Sequence, residues 1–354
     1  MHRRIAPSIG LLVLLCLPGA SSSAAEWGPL ELLETSIPAG TKTQISFLHE
    51  DSFTKGIVDV DVQINRGARP GPTLCLMGAV HGDELNGVEI ARHVHAVTDP
   101  TKLAGTIVSV PIVNVWGFRS GSRYLPDRRD LNRAFPGNRN GSTAARIAYG
   151  LFERLIRHCD YLVDLHTGSD ERTNVPQIRV DLKNDAARNL ALNFAEGVVL
   201  SGAGPEGSLR RATTDAGIPA IIYEAGGPNR FEKVEIDRGI EGVTNVMRYL
   251  KMQGAPPPEP DPLRVYQSTT WVRSGGGGIF MTDRTPGESV RKGDRLGTVT
   301  DPHTNVRVDV MAPFDGNLIG MAYPQVVLPG YGLFHLARHE AGFVEPAEDE
   351  VGEN

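Results

Sequence analysis

Cysteine is scarce in this chain: three in 354 residues. Cys16 lies in the first apolar run, so only Cys75 and Cys159 remain for the body of the protein, and at most one bridge can form there. Each lies in or beside an apolar stretch, so buried free thiols are expected, with a bridge allowed but not required. Long apolar runs are missing as well. The run at residues 9–17 is about half of the roughly 20 residues that cross a bilayer, and no later segment replaces it, so no membrane span is expected. Charge of one sign is not in excess either. The net charge of -6 gives no electrostatic reason for a nucleic-acid partner.

What is present begins with a leader. Residues 1–25 carry Arg3 and Arg4, then the apolar run, then small residues from Ser21 to Ala25, which is the pattern of a cleaved export signal. The mature chain is expected to be soluble and periplasmic or extracellular. Cys16 follows Leu15 rather than a small residue, which argues against a lipid anchor. Ile5-Ala6-Pro7 after the two arginines leaves the export route open. The remaining length exceeds what one core comfortably fills, so two domains are expected.

The alternating apolar and polar pattern at 56–64 and the apolar runs at 73–80, 106–113, 161–165 and 218–223 read as strands. Segments 85–97, 142–156, 185–195 and 236–251 carry apolar residues at helical spacing, with Ser142 as a cap. Thr167-Gly168 is taken to open a long polar loop. Alternating strands and helices predict an α/β fold, a mainly parallel mixed sheet covered by helices, over residues 26–253. Consecutive prolines make 254–262 a semi-rigid linker. Short strand-like runs between Gly, Pro and Asp turns make 263–340 a small all-β, barrel-sandwich-like domain. The acidic tail 341–354 lacks a sustained apolar face and is expected to be mobile.

Three chemically capable residues stand where predicted strands stop, the place where ligands gather in such sheets. His81 and Glu84, separated by two residues on a turn entering a helix, can converge on one ion, although H-x-x-E alone is a common chance pattern. His166 can complete three protein ligands and leave a fourth position for water. Asp164, on the same face of that strand, is either an acceptor for the His166 ring or a plain buried hydrogen-bonding group. Glu224, at the mouth of another buried strand, can take a proton from water and pass it to a leaving amine, or simply cap the Gly226-Gly227 turn. Between the ligand segments, residues 123–137 are dense in arginine, whose forks suit carboxylates and oxyanions but also populate solvated surfaces.

The order and context of these segments resemble the succinylglutamate desuccinylase and aspartoacylase branch of the carboxypeptidase A-like zinc hydrolases. Gly78-Ala79-Val80-His81-Gly82-Asp83-Glu84-Leu85-Asn86-Gly87 is similar to its first ligand segment and Asp130-Leu131-Asn132-Arg133 to its substrate-binding segment. Asp164-Leu165-His166-Thr167-Gly168 is similar to its third-ligand segment, and Glu224-Ala225-Gly226-Gly227 to its general-base segment. The resemblance spans residues 52–250 and extends to the β module. It implies one zinc ion per chain on His81, Glu84 and His166, Glu224 as general base and acid, and a substrate carboxylate on Asn132 and Arg133. Arg123 resembles the arginine that polarises the scissile carbonyl, with Arg128 or Arg129 as alternatives because the spacing is long. Arg179 and Arg210 or Arg211 are further candidate substrate anchors, and Tyr331 a candidate from the β module.

The β module also resembles a biotinyl- or lipoyl-type hammerhead, but its turn reads Asp301-Pro302-His303-Thr304-Asn305 without the lysine, so no covalent cofactor is expected. His93, His95, His158, His303, His335 and His339 lack partners at ligand spacing and read as structural or solvated. The expected function is hydrolysis of the amide bond of an N-acyl amino acid or a related small carboxylate-bearing substrate. A metallocarboxypeptidase acting on small or envelope-derived peptides is the alternative, and a metal-retaining binding protein without turnover a third.

Overall fold

The computed structural model describes residues 27–48, 59–194, 197–257, 263–338 and 342–344; the leader and His339 lie outside them. At its centre four strands run parallel in the order Ala220–Gly226, Tyr161–His166, Arg69–Gly78 and Ala104–Val110. Their inner stretches, such as Leu74–Met77 and Ala220–Tyr223, are apolar on successive residues because both of their faces are covered. Alternate residues feed two cores. Cys75, Met77, Val108, Val110 and Leu162 pack with Ile147, Leu151 and Phe152 of the helix Thr143–Arg154. Leu74, Leu76, Ile107, Val163 and Tyr223 pack on the other side with Ile90, Val94, Val243 and Val246 of the helices Asn86–Val97 and Lys233–Tyr249. Ser142 caps its helix by accepting from the Ala145 N–H.

Outside this parallel centre the next strand on either side runs antiparallel. Asp59–Arg66 and Thr41–Leu48 extend one side. On the other, Arg172–Val180 pairs with the Glu224 strand. The long polar loop expected after Gly168 is therefore replaced by a strand. Its alternation was masked because Asn174 and Arg179, whose faces a core strand would fill with apolar residues, line a cavity instead.

The C-terminal strands do not stand apart. Leu263–Tyr266 pairs with Val198–Ser201, and Gly316–Ala322 pairs with Arg172–Val180, so both join a fourteen-stranded sheet. A separate four-stranded sheet, Arg307–Met311, Arg295–Thr300, Gly278–Met281 and Gln325–Val327, lies over a core of Phe280, Leu296, Leu318, Phe334 and Leu336. Within the expected mobile tail, Gly342–Val344 forms a strand on Leu263–Tyr266, because ladder pairing needs main-chain groups and not an apolar face. The tail from 345 onward, and 258–262 of the expected linker, lie outside the described residues.

Cys75 and Cys159 are bonded, with Cα atoms 5.8 Å apart, so the expected free thiols are corrected to a disulfide. The parallel pairing of Cys75 with Leu162 draws Cys159 to Cys75 across a sequence separation of 84, which no local pattern reveals.

Candidate active site

His81 and its neighbours leave the end of Arg69–Gly78 through a tight turn, with Ala79 at φ 45°. Gly82 is required there. A Cβ at this position would lie 1.9 Å from the Gly117 carbonyl carbon, because the helix Val115–Ser120 passes directly across the turn. Two further residues of the segment act as ties. Asp83 accepts from the Ser169 hydroxyl at 2.7 Å, and Asn86 donates to the Ala225 carbonyl while accepting from the Glu232 N–H. They clamp the exits of three of the four central strands to one another.

Glu84 is the hub of the cluster. Its Oε1 lies 2.7 Å from His81 Nδ1, and its Oε2 lies 2.7 Å from His166 Nδ1 and accepts from the Thr167 N–H. The far nitrogen of each ring faces another carboxylate: His81 Nε2 is 3.2 Å from Asp130 Oδ1, and His166 Nε2 is 2.9 Å from the fully buried Asp164. Burial opposes charge on His81, Glu84, His166 and Asp130, but their mutual attraction outweighs it. Burial alone would raise the Glu84 carboxyl, yet His81 and His166 hold it well below the usual carboxylate range. Burial would lower the His166 imidazole, yet Asp164 and Glu84 hold it well above its ordinary value.

This donor set fits a metal ion. One ligand atom each from His81, Glu84 and His166 lies within 4.8 Å of the others, and all three residues are buried. Two imidazoles and a carboxylate suit zinc, and a carboxylate behind each imidazole is the arrangement that orients such ligands.

Glu224 is the partner of His166 in the strand register, which places the two side by side. Its Oε2 accepts from Asn174 Nδ2 and from Arg179 Nη2, both at 2.7 Å. No hydrogen bond among the described residues falls on Oε1. Burial raises the Glu224 carboxyl despite the opposing Arg179.

Arg123 is tied to Asp130 through Nε and Nη2, while Nη1 lies 3.3 Å from His81 Nδ1 and 3.6 Å from Glu84. It lines the cavity, whereas Arg128 and Arg129 do not. Asn132 is buried. Its Oδ1 accepts from the Leu209 N–H, so the amide can offer the cavity only its Nδ2. Arg133 reaches the cavity from an exposed position.

Arg210 and Arg211 part company because successive residues of a helix point about 100° apart. Arg210, on the helix Leu209–Asp215, is buried against the cavity, donates to the Gly202 carbonyl, and has no carboxylate partner among the described residues. Burial, helped by Arg179, lowers its guanidinium to about 10. Arg211 instead pairs with Asp215 at 2.7 Å on the outer face and is not part of the site. Arg179, expected as a substrate anchor, spends one donor on Glu224. Tyr331 does not reach the cavity. Its hydroxyl donates to the Asp170 carbonyl and its ring lies under the Arg172 guanidinium.

The cavity holds about 170 Å³ and is also walled by Ser169, Arg172, Asn174, Ser208 and Trp271, which sequence reasoning did not assign. Trp271 comes from the C-terminal strand Thr269–Arg273 and stacks on His335, 4.7 Å between ring centres. Among the expected structural histidines, His335 bonds Thr269 and His95 bonds Asn65.

A model of the succinylglutamate desuccinylase/aspartoacylase catalytic domain matches residues 70–250, half of the chain. The chain belongs to the succinylglutamate desuccinylase/aspartoacylase family. It is 24% identical over 297 residues to an N-alpha-acetyl-L-2,4-diaminobutyric acid deacetylase from Halomonas elongata, covering 80% of this chain and 86% of that one. The product-bound ectoine utilization protein EutE from Ruegeria pomeroyi superposes with a TM-score of 0.77 at 25% identity, covering 85% of this chain and 97% of the other. A succinylglutamate desuccinylase from Silicibacter superposes with a TM-score of 0.76 at 25% identity and the same coverage. As a member of this deacylase family, the chain is a hydrolase acting on amide bonds.

Proposed function

We propose that this chain is an exported, zinc-dependent deacylase that releases the amine from an N-acyl amino acid or a related small carboxylate-bearing substrate. The observation that carries the reading is the meeting of His81, Glu84 and His166 with Glu224 in one cavity that also holds the Arg210 guanidinium, which forms no ion pair among the described residues. Bound zinc would supply a Lewis acid and bring the pKa of water near neutrality. The chain's own groups divide the rest of the work. Glu224 takes a proton at Oε1 and returns it to the leaving amine. Arg123 Nη1 stabilises the developing oxyanion. Arg210, Arg133 and Asn132 hold the substrate carboxylate by charge-assisted hydrogen bonds.

The Cys75–Cys159 bridge supports export, because disulfides persist in oxidising compartments and are rare in the cytosol. The leader pattern of residues 1–25 points the same way.

The test is turnover by the purified mature chain, with zinc content measured alongside. The panel is N-acetyl-L-aspartate, N-succinyl-L-glutamate, Nα-acetyl-L-2,4-diaminobutyrate and C-terminally free dipeptides. About one zinc per chain and release of amine from an acyl amino acid are expected, and Glu224→Gln should keep the zinc while losing ~10²- to 10⁴-fold in kcat. Cleavage of the dipeptides alone would replace the deacylase reading with the carboxypeptidase one. Zinc without any turnover would leave a binding protein.

A further inference from the structure

Glu224 is held from one side only. Both of its donors, Asn174 Nδ2 and Arg179 Nη2, reach Oε2. They come from the strand Arg172–Val180, whose side chains at 174 and 179 must lean across to the neighbouring strand to do so. Arg179 has length to spare. Asn174 does not, and its amide needs empty space on the side away from Glu224.

That space is provided by the C-terminal layer. In the register between Gly316–Ala322 and Arg172–Val180, Gly320 faces Asn174, and Asn174 in turn faces Gly226 of the Glu224 strand. On the next strand outward Gly320 faces His335, which faces Trp271. Five residues therefore form one transverse row from the base's strand to the wall of the cavity. Gly320 is the only gap between the two polar side chains Asn174 and His335. A Cβ at Gly320 would stand 2.4 Å from Asn174 Oδ1 and 3.1 Å from the Thr173 carbonyl oxygen. Real Cβ atoms do not approach oxygen so closely, so the amide would have to move. The backbone at Gly320 has no positive φ, so the requirement is one of space and not of conformation. The ladder to Gly332–Arg338 slips between Leu318 and Gly320, which sets this glycine, and not a neighbour, opposite Asn174.

We propose that Asn174 is a positioning residue that fixes the Glu224 carboxylate with Oε1 toward the cavity, and that Gly320 of the C-terminal layer is the notch that lets it do so. The inference rests on Glu224 being the general base. It gives the C-terminal strands a part in the reaction that requires no side chain of theirs to touch the reacting atoms.

The test compares Asn174→Ala, Gly320→Ala and the double variant with the wild type, using whichever substrate of the panel above is turned over fastest. Asn174→Ala should lower kcat ~10- to 100-fold, the range for losing a hydrogen bond to a charged group, with KM and zinc content unchanged. Gly320→Ala, which adds one methyl outside the cavity, should lower kcat ~10-fold in the same pattern, because small misplacements of a catalytic group are costly. In the Asn174→Ala background the added methyl should cost no more than about twofold, since the two changes act through one contact. Crystal structures of the wild type and Gly320→Ala read the same point without turnover: the Asn174 amide should have left Glu224 Oε2. Additive losses in the double variant, a fall in thermal stability without a fall in kcat, or an unmoved amide would overturn the proposal. Failure of Glu224→Gln to lose activity would instead overturn the assignment of the base, so the two failures are distinguishable.

Discussion

At position 210 the chain buries a guanidinium that forms no ion pair among the described residues, an arrangement that costs stability unless a ligand supplies the missing charge. Arg210→Met should therefore raise KM for a carboxylate-bearing substrate ~10- to 100-fold while the melting temperature holds or rises. Arg211→Ala, which removes only a surface pair with Asp215, should leave both the melting temperature and KM close to those of the wild type. Kinetics and calorimetry on both variants check the contrast. These neighbours could not be told apart in the sequence, because both are arginines one residue apart, and only the helix Leu209–Asp215 decides which faces inward. His81, Glu84, His166 and Glu224 were legible for the opposite reason: each follows an apolar run that can only be a buried strand. Asn174 and Trp271 carry no motif, and their partners lie 50 residues or more away.

At the scale of the element, the central strands were legible and the strand Arg172–Val180 was not. A segment whose inward face lines a polar cavity has no apolar alternation to read. The bridge ties Cys75, on one central strand, to Cys159, two residues before the start of its neighbour, six and seven residues ahead of His81 and His166. Cys159→Ser should lower stability by ~2–4 kcal/mol, read from urea unfolding of the metal-free protein. Reductant should produce the same loss in the wild type and none in the variant. Gly82 sets a tighter limit. Gly82→Ala puts a methyl into the Gly117 backbone, so the chain should fold poorly or lose metal affinity.

For the whole molecule, acid should be the sensitive direction. Burial holds His335 neutral, with its pKa lowered to about 3, whereas in the unfolded chain the imidazole takes up a proton near pH 6.5. Its folded value is depressed, so stability is full above pH 6.5. As pH falls from there toward 3 it drops by up to ~1.4 kcal/mol per unit. His335→Gln should flatten that part of the slope, measured as the difference in unfolding free energy between pH 7 and pH 5. Chelation should also lower the melting temperature, because an ion that binds only the folded chain adds ~4 kcal/mol at a thousandfold excess over its dissociation constant.

A composition break at residues 254–262 invites the view that the last ninety residues are an accessory that can be trimmed away. The strand pairing denies it. Removing everything after residue 257 would strip Gly316–Ala322 from Arg172, Thr173 and Asn174 and leave that stretch of main chain as a bare edge. It would strip Leu263–Tyr266 from Val198–Ser201 as well. Uncovered edges template pairing between molecules, so the shortened chain should be recovered as aggregate and not as a smaller enzyme. A library that shuffles this catalytic region onto foreign C-terminal partners would need to carry its own closing strands with it.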